Sequence, residues 1–238
     1  MEPKQYFISK LEEKLNINND TKILDLGSGQ SRNWISLLKK YPTLHYTGVE
    51  PQKKEADVAK DLLKDFQNAK IYNQLAHEFD GQGEFDICIS LSVLEHVKQL
   101  EKFIANSVKS VKQGGIIIHR YDLGHALYSS SIKEKFQIFL GNHFPKVLPE
   151  KKFVRYLDEK DVRKMLEDNG AQVEKTTYSQ MPNHKKLLKL IKFDNKNKSN
   201  AMKKVFDWED EIFEFLVDID KKQRELLFPT ITIWSRKK

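Results

Sequence analysis

The chain has 238 residues, of which 39% are hydrophobic and 32% charged, with a formal net charge of +7. That balance suits one well-buried domain with elaborations, and no apolar run approaches the roughly 18 to 20 residues that span a bilayer. The lone cysteine, Cys88, excludes an internal disulfide, and the positive excess is mostly lysine spread along helices, so it favours anionic partners only weakly.

In chain order, the start "MEPKQYFISKLEEKL" lacks a signal-peptide core, so the expected location is the cytoplasm. Short apolar runs then alternate with helical patterns. Strands are expected at Lys22–Leu26, His45–Val49, Lys70–Asn73, Phe85–Leu91 and Gly115–Tyr121. Between them Trp34, Leu37 and Leu38 share one helix face, Ala59, Leu62 and Leu63 another, and Phe103, Ile104 and Val108 a third. "KQGG", Lys112 to Gly115, is expected to stop the third helix with a glycine cap. Asp158 should cap a helix that Gly170 ends, a strand follows, and "TITIWSR" from Thr230 forms the last strand.

Two irregular stretches interrupt this rhythm, at about 123–156 and 180–228, leaving a core of about 20–122, 157–179 and 229–236 in a single domain spanning 1–238. Both follow the C-terminal ends of strands and so belong on one rim of the sheet. Within the second, "DNKNKSN" reads as a linker or loop tip, and "HKKLLKLIK" as an amphipathic surface helix able to touch an anionic membrane. Phe206, Trp208, Ile212, Phe213, Leu216 and Val217 read as packing residues.

The stretch "KILDLGSGQSRNW" places two glycines between a strand and a helix, the position where open α/β sheets hold nucleotides. A dinucleotide fingerprint needs a third glycine, and Arg32 stands there. Glu50, about twenty residues on, can accept hydrogen bonds from ribose hydroxyls, which suits any adenosine cofactor. Asp25 beside the turn would repel a pyrophosphate and suit the ammonium of a methionine moiety. The alternative is a tight turn that merely needs glycine.

With "ILDLGSG", "YTGVEP", "FDICISLSVLEHV" and "SVKQGGIIIH" in order, the region from Lys22 to His119 resembles the class I S-adenosylmethionine-dependent methyltransferases. The resemblance implies a Rossmann-like, seven-stranded, mostly parallel α/β sheet with helices on both faces, an antiparallel last strand, and helical insertions after strands 5 and 6. It also implies S-adenosyl-L-methionine as cofactor, leaving S-adenosyl-L-homocysteine. The implied cofactor residues are Asp25, Gly27, Ser28 and Gly29 at the methionine end, and Glu50 and Pro51 at the ribose. Gln74, Leu75 and Ala76 would lie near the adenine, without the acid many members carry there, and Ser90 and Leu91 near the sulfonium.

A sulfonium already activates its methyl group, so the protein must align the acceptor and, for a hydroxyl, remove one proton. The candidate bases are His96 in "LEHV", and His119, Asp122 and His125 in "HRYDLGH". Alternation puts His119 and Tyr121 on one face of the strand, and Arg120 and Asp122 on the other. Glu95 and His96 form a thin ligand set with Ser92 where another acid would help, so no required metal is expected.

"HRYDLGH" also resembles methyltransferases of bacterial surface-polysaccharide biosynthesis. This second resemblance implies O-methylation of a sugar, a nucleotide-linked sugar or a phosphoryl-containing molecule, with Arg120, Tyr121, Tyr128 and Arg155 as candidate acceptor contacts. An RNA substrate is the alternative suggested by a pI near 9.2. No arginine-rich stripe with interleaved aromatics supports it, and nucleic acid is not the expected partner. A non-catalytic adenosine-binding module is the remaining reading. Oligomeric state is not read from the sequence.

Overall fold

A computed structural model describes residues 3–129, 131–149, 152–181, 195–216 and 219–238. The order of elements is α1 (Pro3–Leu15), β1 (Lys22–Leu26), α2 (Ile35–Lys40), β2 (His45–Val49), α3 (Lys53–Leu63), β3 (Ala69–Tyr72) and β4 (Phe85–Leu91). There follow α4 (Leu100–Ser110), β5 (Val111–Asp122), α5 (Gly124–Leu127), α6 (Ile132–His143), α7 (Glu159–Asp168) and β6 (Ala171–Ser179). The last elements are α8 (Asn195–Phe215), α9 (Lys221–Leu227) and β7 (Thr230–Lys237).

The seven strands form one sheet in the order β3-β2-β1-β4-β5-β7-β6. The pairs from β3 to β5 are parallel, and β7 is inserted antiparallel to both β5 and β6. The strand order reverses between β1 and β4, which opens a crevice beyond their C-terminal ends.

Central strands are covered on both faces, so alternation divides their residues between two cores. Leu24, Leu26, Cys88, Ile117, Tyr121, Ile231 and Ile233 pack with Phe103, Ile104 and Val108 of α4 and Val162 and Leu166 of α7. On the other face Ile23, Ile87, Ile89, Leu91 and Ile118 pack with Phe7, Ile8 and Leu11 of α1 and Trp34, Leu37 and Leu38 around α2. Asp158 caps α7 by accepting from the Lys160 amide, and Gly170 follows at φ 86°.

Two local expectations are overturned. "KQGG" does not cap α4: the helix ends at Ser110 with Val111 already extended, and Lys112–Gly115 form an irregularity early in β5, where pairing jumps from Phe85↔Val111 to Ile87↔Ile116. "DNKNKSN" is not a linker over its described part, because residues 195–200 open the 21-residue helix α8. Its Met202 and Phe206 pack on Tyr6 of α1, while Ile212, Phe213 and Leu216 reach the α4-side core and Trp208 stays exposed. "HKKLLKLIK" and Val217 lie outside the described residues. The two insertions meet: the Tyr156 hydroxyl donates to Glu225 Oε2 (2.9 Å), and Tyr128 donates to the Leu226 carbonyl.

Candidate functional site

At the crevice, the turn after β1 is stitched to the end of β2. The amides of Gly27 and Ser28 both donate to the Val49 carbonyl (2.8 and 3.2 Å), and that of Gly29 to Glu50 Oε2 (2.9 Å). Three successive N–H groups are thereby occupied, so the turn offers no open nest to a pyrophosphate. Gly27 sits at φ 80°, and a Cβ there would lie 2.5 Å from Val93 Cγ2, so only glycine admits the loop after β4 this close.

A cleft of about 720 Å³ opens beside this turn. It is lined by Gly27, by Glu50, Pro51 and Gln52, by the run from Gln74 to Glu78, and by Ser92, Val93, His96, Val97, Gln99 and Phe103. Its size is that of ordinary small-ligand sites, which span about 300–1,000 Å³. Glu50 is buried and oriented from two sides, Oε2 by the Gly29 amide and Oε1 by the Gln52 amide (2.9 Å). Each oxygen keeps a second lone pair, which leaves the carboxylate able to receive a ribose diol. Asn73 fixes the adjoining backbone by donating to the Glu50 and Pro51 carbonyls, and Asn106 holds the loop after β3 through the Ala76 and Phe79 carbonyls. Leu75, Ala76, Val93 and Phe103 add apolar wall for a base. Glycine turn, oriented acid and apolar slot together fit an adenosyl group.

The expected cofactor residues Gly27, Glu50, Pro51, Gln74, Leu75 and Ala76 thus share one cleft wall, and Gly29 supports it through Glu50. Ser28 lies in the turn without lining the cleft. Asp25 stands beneath the turn: its Oδ2 accepts from Trp34 Nε1 (2.7 Å) and the Tyr46 hydroxyl (3.0 Å), and burial pushes its carboxyl up to about 6. It holds the turn from below rather than facing the cleft. Ser90 is buried against His119, and Leu91 turns its side chain into the α1-side core. Lining residues that pattern reading missed include Gln52, next to "VEP", His77 and Glu78, next to the expected Ala76, and Ser92, Val93, Val97 and Gln99, around "LEH". Lys4 of α1 does not line the cleft; its Nζ donates to the Leu91 carbonyl at the end of β4 (2.7 Å), and burial lowers its pKa.

The candidate bases separate sharply. His119 is 0% exposed, its Nδ1 2.8 Å from Ser90 Oγ and its Nε2 3.0 Å from Ser107 Oγ. Burial alone lowers its pKa to about 3, so it is a neutral core histidine and not a base. Tyr121 is likewise in the α4-side core and cannot meet an acceptor. Asp122 accepts from the Gly124 amide (2.7 Å) and shapes the turn into α5.

His96 and His125, by contrast, come together with ring centres 5.9 Å apart. They line a second compartment of about 200 Å³ with Glu134, Gln137, Ile138, Lys152, Phe153 and Val154. His96 borders both spaces and is the hinge between them. Its Nδ1 lies 2.9 Å from the Phe153 carbonyl, which can only accept, so Nδ1 carries the proton and Nε2 the lone pair. Desolvation, foremost, holds its pKa below the usual imidazole range.

The basic candidates do not gather there. Arg120 is buried with its guanidinium carbon 4.5 Å from the Phe7 ring centre, on the α1 face. Arg155 donates to the Val97 carbonyl (3.0 Å) and braces the loop after β4, and Tyr128 ties the two insertions together. Glu95 turns inward, its Oε1 accepting from the Asp122 amide (3.2 Å), and burial raises its carboxyl to about 8. Among the described residues, no group of three His, Cys, Asp or Glu side chains is arranged to hold a metal ion.

A doubly wound sheet with a cleft of adenosyl size at its switch point is a Rossmann-like architecture. Residues 4–176 match the family model described as "Methyltransferase domain", and the chain belongs to that family. It is 28% identical over 115 residues to a ubiquinone biosynthesis O-methyltransferase of Rickettsia bellii, covering 48% of this chain and 47% of that protein. It is also 24% identical over 118 residues to the pavine N-methyltransferase of Thalictrum flavum subsp. glaucum, covering 49% and 33%. The chain therefore spans about half the length, or less, of these curated relatives. Its fold is shared with a geranyl diphosphate methyltransferase solved in complex with S-adenosyl-L-methionine, at a TM-score of 0.63 and 10% identity over 98% of this chain and 85% of that one. Among the described residues, no helix is long and apolar enough to cross a membrane.

Proposed function

We propose that this protein O-methylates a small-molecule hydroxyl, with His96 as the general base. The observation that carries this is the 2.9 Å contact between His96 Nδ1 and the Phe153 carbonyl, which fixes the tautomer and leaves Nε2 free at the junction of the two spaces. When bound, S-adenosyl-L-methionine supplies a methyl group activated by its sulfonium. Glu50 and the Gly27 turn would hold the adenosyl end, and His96 would take the hydroxyl proton on Nε2 as the oxygen's new bond to the methyl carbon replaces that carbon's bond to sulfur, which leaves S-adenosyl-L-homocysteine. An amine acceptor already neutral would need no such base.

Glu134, Gln137 and Lys152 give the acceptor compartment a polar lining with one cation, which supports an acceptor bearing sugar or phosphoryl groups. The buried lone cysteine is consistent with action in the cytoplasm.

His96→Gln tests the assignment. It is expected to lower kcat by about 10²–10⁴-fold while leaving thermal stabilisation by S-adenosyl-L-homocysteine intact. Because the His96 pKa is depressed, the base is neutral at pH 7, and the wild-type rate should fall only as pH drops below about 6.5. An unchanged kcat in the variant would sink the assignment. Tight cofactor binding without transfer to any hydroxyl would favour a non-catalytic module.

A further inference from the structure

The helix α6 carries its apolar residues on the wrong side for a packed element. Its inner face, with buried Ile138 and Gly141, presses on the segment before α7, where a Cβ at Gly141 would run into the Val154 carbonyl. Gln137 Nε2 donates to the Lys152 carbonyl and fixes the same seat. Its outer face shows Ile132, Phe136, Phe139 and His143, spaced four, three and four residues apart along one stripe. Ile132 is 86% exposed, Phe136 59% and Phe139 49%, and the stripe continues past the helix through Phe144 (54%) and Val147 (68%). Phe139 lies at the centre of a ring cluster, 6.5 Å from Phe136, 4.7 Å from His143 and 6.3 Å from Phe144.

Charge says what covers this stripe. Lys133 and Lys135 fall on either side of it, one residue step from Ile132 and Phe136, and Lys146 lies at its far end; all three are exposed. Among the described residues, none of the three is paired with an acid. The one acid of the helix, Glu134, lies off the stripe, where it accepts from Ser129 Oγ (2.7 Å) and borders the compartment beneath. A second copy docking through the same stripe about a two-fold axis would bring these lysines against their own equivalents, and lysine is depleted in protein interfaces. Aromatic and aliphatic side chains flanked by lysines on one face of a short helix are instead the pattern of an element lying in the headgroup region of an anionic bilayer.

We infer that the stripe from Ile132 to Val147 docks this protein onto an anionic phospholipid surface. The rings enter the boundary between headgroups and acyl chains, and Lys133, Lys135 and Lys146 meet phosphate groups. The inner side of the same helix contributes Glu134, Gln137 and Ile138 to the compartment that also holds His96 and His125. Docking therefore brings that compartment to the lipid surface. If the compartment receives the acceptor, as the proposed function has it, the acceptor is an amphiphile whose polar end enters from the interface.

Sedimentation of the full chain with phosphatidylcholine vesicles, and with vesicles of phosphatidylcholine mixed with phosphatidylglycerol, tests the inference. Binding is expected to the mixed vesicles, to weaken with added salt, and to fall about tenfold or more in Phe136→Ser/Phe139→Ser and in Lys133→Glu/Lys135→Glu. Thermal stabilisation by S-adenosyl-L-homocysteine, unchanged in both variants, reports intact folding. Absence of wild-type binding to the mixed vesicles overturns the inference. So does a self-association, seen by sedimentation equilibrium, that the phenylalanine variant abolishes. Neither result touches the cofactor reading, whose own failure would be a wild-type protein that S-adenosyl-L-homocysteine does not stabilise.

Discussion

Glu50 and the histidines show how much a residue's meaning depends on what surrounds it. Glu50 stands out in the sequence for its position after the second strand, as a partner for ribose hydroxyls; what the sequence does not record is that its carboxylate accepts from the Gly29 amide of the glycine turn. In Glu50→Gln only one of the two oxygens survives, so an amide nitrogen must face a backbone N–H. The affinity for S-adenosyl-L-homocysteine, read by calorimetry, should fall about 10- to 100-fold, the loss of a hydrogen bond to a charged group. His119 in "HRYDLGH" is the stronger candidate in the sequence and His96 the weaker, yet burial beside Ser90 and Ser107 disarms the first, while a backbone carbonyl aims the second. Glu95 supplies a separate test. Its folded pKa, about 8 against an ordinary 4.5, means the native state keeps a proton that the unfolded chain releases. Its contribution to stability is complete below about 4.5, is lost progressively as pH rises, and is gone above about 8. Thermal melts of Glu95→Gln across that window should show a flatter pH dependence than wild type, and an equal slope would refute the assignment.

Among the elements, the turn between β1 and α2 is decided by contact with another loop. The left-handed φ of Gly27 could be guessed from "GSG", but not that Val93 closes over it. Gly27→Ala combines left-handed strain of about 1–2 kcal/mol with that clash, so its melting temperature should drop by several degrees. In a Val93→Ala background the drop should be smaller, because the clash is relieved while the strain remains. Equal drops in both backgrounds would show that Val93 does not set the turn. "KQGG" illustrates the converse error. Glycines after a helix read as a cap, but the extra residues were taken up as an irregularity in β5, since pairing with β4 resumes at Ile116. Similarly "DNKNKSN" has the composition of a loop, and its described part is helical because α8 gains its stability further on, from Met202, Phe206 and Phe213 packing on two cores.

Across the molecule, β7 joins the edge strand β6 to the rest of the sheet. It arrives last in the chain yet lies between β5 and β6, with Ile233 facing His119 on one side and Thr176 on the other. Ile233→Ala should cost about 2–5 kcal/mol. Native-state hydrogen exchange should then rise together in β5 and β6 while β1–β3 keep more of their protection. Uniform acceleration over all seven strands would argue that the sheet opens only as a whole. The two insertions are in contact through Tyr156 with Glu225 and Tyr128 with the Leu226 carbonyl, and Lys221 of the second also reaches the α7 cap at Asp158 (2.7 Å).

What the residues announced on their own was whatever rests on short-range geometry: the alternation that makes strands, the glycines that let β1 turn, the acid after β2, the cap at Asp158. The mostly parallel sheet and its cofactor class follow from these, because each is set within a few residues of chain. Tertiary structure alone decided which side of a strand becomes core when both faces are covered, and so removed His119, Tyr121 and Ser90 from the site. It also decided the second compartment, where His96 is aimed by a carbonyl 57 positions away. Such a contact depends on how two loops pack over the sheet, and no local pattern of residues records that distance.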